Sequence, residues 1–113
     1  MTPEAQRRAI HASLGWKPRY HGVELYAYER ADNANDWLYA HEMPDYPNDL
    51  NACHEMEKSL TPETRPEYLC RLFDTATYGR AGLYPVDENY LTHHATAAQR
   101  SEAFLRTLNL WQP

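Results

Sequence analysis

From Thr96 to Trp111 the chain reads TAAQRSEAFLRTLNLW. Its apolar positions fall along one side of a helix: Ala98, Ser101, Leu105 and Leu108, with Phe104 beside them. Thr96 suits the N-cap, its hydroxyl accepting from the backbone N–H of Gln99, and the Gln99 side chain reaches back to Thr96 to close a capping box. Asn109 suits the left-handed position beyond the last turn, and Leu110 is placed to touch Leu105 across it. The segment predicts an amphipathic helix with a defined start, a defined stop and one face for a core.

The rest of the chain divides by the same reading. Thr2-Pro3-Glu4 offers a cap, a proline in the first turn and an acid at the positive end of the helix dipole. Ala5, Ala9, Ile10 and Leu14 follow as a partial stripe with His11 at its edge, and Gly15 ends that helix with Trp16 behind it. Lys17 to Gly22, with its proline, reads as a loop. Val23 to Tyr28 alternates as a strand, with Val23, Leu25 and Ala27 on one face and Glu24, Tyr26 and Tyr28 on the other. Ala31 to Asp36 is turn chemistry and Trp37 to His41 a second strand, which together make a hairpin with a long loop. A helix from about Asn48, which can cap it, turns Leu50, Cys53, Met56, Glu57 and Leu60 inward. Another from about Pro66 turns Leu69, Leu72, Phe73 and Ala76 inward, the proline being tolerated in the first turn. Asp87 to His94 supplies a third strand. The order α-β-β-α-α-β-α predicts a single α+β domain over residues 1–113, with a small antiparallel sheet of about three strands packed by about four helices.

Composition narrows the function. With 42% hydrophobic residues in 113, the chain has material for a modest core and is not a disordered tail. No apolar run approaches the length of a membrane span, and MTPEAQRRAI has no secretory h-region, so the expected location is the cytoplasm. Cys53 and Cys70, both in predicted helices, read as reduced core thiols. The net charge of −5 is uneven: residues 1–23 carry +3, residues 24–67 carry −8, and the remainder balances. An acidic middle disfavours nucleic acid as a direct partner and favours a basic protein surface.

Candidate chemistry is sparse. His41, His54 and Glu57 are the residues for a small metal-dependent hydrolase or a nucleotide-binding protein. His41-Glu42-Met43 and His54-Glu55-Met56 both begin like a zinc-protease helix, yet neither has its second histidine. Gly79-Arg80-Ala81-Gly82 lacks the lysine and hydroxyl of a phosphate loop. No catalytic residue and no metal or other cofactor is assigned. Nine tyrosines and three tryptophans are many for this length, and Tyr20, Tyr26, Tyr28 and Tyr39 gather on or near the hairpin inside the acidic segment. Tyrosine gives wide contact at low entropic cost and is enriched at interfaces. The expected partner-binding residues are Glu24, Tyr26, Tyr28, Glu29, Asp32, Asp36 and Tyr39.

Two stretches carry a resemblance. Residues 45–57, reading DYPNDLNACHEME, and residues 95–108, followed by Leu110-Trp111, resemble small bacteriophage proteins with an α-β-α (ABA) sandwich domain. The chain departs from that pattern between Thr75 and Asn89 and in its tyrosine-rich hairpin. The resemblance implies phage origin and fold, in a family without an established activity. The expectation is then a non-enzymatic phage accessory protein in the host cytoplasm. Its partner would be a host protein with a basic surface. In the sharper form it is an anti-defence inhibitor of the anti-CRISPR type, covering a basic nucleic-acid-binding groove.

Overall fold

The computed structural model describes residues 1–77 and 93–113. Helix α1 spans Pro3–Ser13, and strands β1, β2 and β3 span Trp16–His21, Glu24–Arg30 and Asn33–Tyr39. Helices α2, α3 and α4 span Leu50–Glu57, Arg65–Thr77 and Ala97–Thr107. A single 3-10 turn, Ala40–Glu42, follows β3. The fold is α+β, as expected, with a three-stranded antiparallel sheet and four helices among the described residues.

Local chemistry sets the helix ends. The Thr2 hydroxyl accepts from Ala5 N–H at 3.1 Å, and Gly15 leaves α1 at φ +94°. Gln99 N–H donates to Thr96 Oγ1 at 3.1 Å, and Thr96 N–H donates to Gln99 Oε1 at 2.9 Å, so the capping box of α4 is complete. At its other end Asn109 sits at φ +59°, and Leu110 N–H donates to the Leu105 carbonyl at 2.8 Å, the closing bond of a Schellman motif. Replacing Thr96 with alanine should cost about 1 kcal/mol. Thermal denaturation that leaves the variant unchanged would show that the box adds nothing. Helix α2 is capped one residue later than expected. Asp49 Oδ1 accepts from Asn51 and Ala52 N–H, while the Asn48 amide turns back to Asp45.

The core is mainly helical. Ile10 of α1, Cys53 and Met56 of α2, Leu72 of α3, and Phe104 and Leu105 of α4 meet there, all essentially buried. The inward faces of α2 and α3 are turned slightly from the expected stripes. Leu50 and Leu69 are exposed, Tyr68 takes an inner position on α3, and Leu108 is only partly buried. Cys53 is a core thiol, but Cys70 is exposed.

The sheet differs most from expectation. Its order is β1-β2-β3, so β2 is central. The segment read as a loop, Lys17 to Gly22, lies largely within β1. Pro18 is accommodated because β1 is an edge strand, where a missing N–H costs no ladder bond. The hairpin loop is tighter than expected, since β2 runs to Arg30 and β3 starts at Asn33. His41 lies in the 3-10 turn rather than in β3. Most of the strand expected at Asp87 to His94 lies outside the described residues.

Candidate functional site

A bulge decides which side chains the sheet presents. Arg19 pairs with Ala27 and Tyr20 with Leu25, so Tyr26 is an extra residue in β2 and the pleat shifts there by one. Tyr28 therefore shares a face with Leu25, Pro18 and Trp16 instead of with Glu24. That face meets α1. Tyr28 is 3% exposed and holds the His11 ring edge-on at 4.7 Å. It cannot serve as the surface anchor expected of it.

The opposite face is partly exposed among the described residues, with Ala27 fully buried within it. Cross-strand pairing sets Lys17, Glu29 and Trp37 in one row, and Arg19, Ala27 and Tyr39 in the next. Trp37 and Tyr39, 43% and 48% exposed, pack edge to face at 5.0 Å, and His41 stacks on Tyr39 at 5.6 Å. Arg19 lies over the Trp37 ring at 5.9 Å, bonded to Glu29 at 3.1 Å and to the Ala34 carbonyl at 2.8 Å. Tyr26 and His21 form a further edge-to-face pair at 4.9 Å. The result is a row of rings already held by one another, which loses little side-chain freedom when covered. Trp37, Arg19 and His41 belong to this face in addition to the partner-binding residues expected from the sequence. Their period-two spacing with Tyr39 and across from Ala27 was the available signal.

The acids expected at the site are mostly neutralised within the chain. Glu29 pairs with Arg19, and that hydrogen bond holds its carboxyl below the usual carboxylate range. Asp32 and Asp36 lie 3.7 and 4.0 Å from the Arg30 guanidinium, while Glu24 is exposed. Across residues 16–39, four acids face three bases. The acidic excess sits further on, in residues 40–67, where seven acids stand against Lys58 and Arg65.

Of the alternative set, His54 and Glu57 meet: His54 Nδ1 donates to Glu57 Oε1 at 3.1 Å. His41 is committed to Tyr39 instead. Glu57 also accepts from Arg100 Nη1 at 2.9 Å and from the Tyr68 hydroxyl. Its carboxylate thus ties α2 to α3 and α4. Among the described residues no three His, Cys, Asp or Glu side chains are grouped to hold a metal ion. The Cys53 thiol donates to the Tyr46 carbonyl at 3.0 Å, and burial pushes it up to about 11, which leaves it protonated and unreactive at neutral pH.

A concave feature lies behind the sheet. A groove of about 550 Å³ runs between Trp16 and Arg30 on one wall and Tyr46, Asp49 and Glu55 on the other. Trp16 is sandwiched there, with the His11 ring parallel at 4.9 Å on one side and Arg30 at 5.3 Å over the ring. His11 itself is buried, shares a hydrogen bond with the Tyr46 hydroxyl at 3.1 Å, and leaves Nε2 without a partner.

No family model, no curated protein and no solved structure matches the chain.

Proposed function

We propose that the chain is a non-enzymatic protein that binds another protein through the ring-bearing face of its sheet. The observation that carries the reading is the exposed ring row Trp37–Tyr39–His41, braced by Arg19 and Glu29. Exposed tryptophan and tyrosine braced by their neighbours are among the residues that dominate binding energy at protein interfaces. The acidic excess of residues 40–67 favours a partner with a basic surface and speeds encounter with it. The sharper form is a phage anti-defence inhibitor, of the anti-CRISPR type, seated on a basic nucleic-acid-binding groove. It rests on the two phage-like stretches and on that charge.

The test is affinity capture from a bacterial lysate with the wild-type chain, then surface plasmon resonance against the captured protein at two salt concentrations. Trp37→Ala and Tyr39→Ala should each weaken binding by about 2 kcal/mol, roughly thirtyfold, mainly by faster dissociation. Added salt should slow association. Variants that bind like the wild type would remove the sheet face from the interface. Binding indifferent to salt would remove the basic partner.

A further inference from the structure

We propose that the groove between the sheet and α2 receives a basic side chain, an arginine or a lysine, from the protein partner. The partner rests on the protein-binding reading above, but the chemistry of the groove stands on its own residues. Leu14, Pro44, Ala52 and the ring of Tyr46 line it with apolar surface suited to the methylene stem of such a side chain. Asp49, Asn51, Glu55 and Ser59 line it with oxygen and amide groups suited to the charged head. The remaining charged group in the lining is Arg30, so with Asp49 and Glu55 against it the lining sums to one net negative charge. Arg30 lies on Trp16 with Asp32 and Asp36 at 3.7 and 4.0 Å. The groove is therefore left net acidic.

Two details favour a cation over an anion or a neutral guest. Asp49 uses only Oδ1 to cap α2, accepting from Asn51 and Ala52 N–H, so its second oxygen takes no hydrogen bond among the described residues. Glu55 is paired with Lys58 at 2.8 Å, but both side chains are largely exposed, and such surface pairs exchange at little cost. An incoming guanidinium or ammonium meets one free carboxylate oxygen and one easily released carboxylate, beside an aromatic wall. The groove opens within the acidic segment itself, so the charge that steers a basic partner and the site that takes its side chain belong to the same stretch.

The experiment is a titration of the full chain with N-acetylarginine methylamide, followed by two-dimensional amide and indole NMR, with N-acetylglutamate methylamide as the opposite-charge control. Saturable shifts at the Trp16 indole and at the Asn51 and Glu55 amides are expected with the arginine probe and not with the glutamate one. The double variant Asp49→Asn, Glu55→Gln should weaken the arginine probe about tenfold, and asparagine preserves the helix cap, so folding is retained. Trp37→Ala, on the other face of the sheet, should leave the probe's affinity unchanged. Absent shifts, equal shifts with the glutamate probe, or an unaltered affinity in the double variant would each overturn the groove. None of those outcomes bears on whether Trp37 is needed for partner capture, so the two readings fail separately.

Discussion

Arg100→Ala should destabilise the fold by about 3–5 kcal/mol, among the larger effects a single replacement can have. Arg100 is buried on α4, and its guanidinium bonds to three groups among the described residues. Nη1 donates to Glu57 on α2 at 2.9 Å, Nε to the Ala95 carbonyl at 3.2 Å, and Nη2 to the His93 carbonyl at 3.2 Å. Removing it strands a half-buried carboxylate that is otherwise held by Tyr68 and His54, and leaves carbonyl groups without their donor. The pair itself contributes less than that loss suggests, because both charges were desolvated to form it. The double variant Arg100→Met, Glu57→Leu should therefore be markedly more stable than Arg100→Ala. Urea denaturation of the three proteins decides it. A single variant within 1 kcal/mol of wild type would mean that Glu57 is already satisfied by water and its other partners.

The second large effect is acid lability centred on His11. Burial, then the nearby Arg7 and Arg30 charges, lower its pKa from 6.5 to about 4. The unfolded chain binds this proton at higher pH than the folded one. The stabilisation is therefore complete above pH 6.5 and is lost as pH falls from 6.5 to about 4, by about 3 kcal/mol in all. Structurally, a charged imidazole would have to sit between Trp16, Tyr28 and Tyr46, where Nε2 has no acceptor. His11→Phe keeps a ring in the stack and cannot titrate. Its denaturation midpoint should fall much less between pH 7.5 and pH 4 than that of the wild type. Parallel losses in the two proteins would place the acid sensitivity in carboxylates elsewhere.

How far the sequence could be read depended on the distance over which each feature is decided. The two ends of α4 were fully legible, because a capping box and a Schellman turn are settled within a few residues of themselves. The α+β class followed from periodicity alone. Strand β1 was hidden by Pro18, which reads as a breaker until one knows that the strand lies at the edge of the sheet. The direction of Tyr28 was hidden by the bulge at Tyr26, a property of the β1–β2 register and not of β2 itself. The candidate face was half visible: tyrosines and acids on the hairpin were marked, but Arg19 and Trp37 come together only across strands. Glu57 and Arg100 stand 43 positions apart, and no local pattern joins them.

The packing of α4 has a consequence for how the chain comes off the ribosome. The sheet is a meander of neighbouring strands, and every partner in it has been synthesised once Tyr39 emerges. The apolar faces of α1, α2 and α3 are different, since each is completed by α4. At about 5–20 residues per second, those faces wait for several seconds in a nascent chain whose strands are already able to pair. During that interval Ile10, Met56 and Leu72 have no Phe104 or Leu105 to close over them, and a chaperone that recognises short apolar stretches would find its clients there. Synthesis halted before Thr96 would leave the paired strands tethered to helices whose apolar faces stay uncovered, a species prone to aggregation.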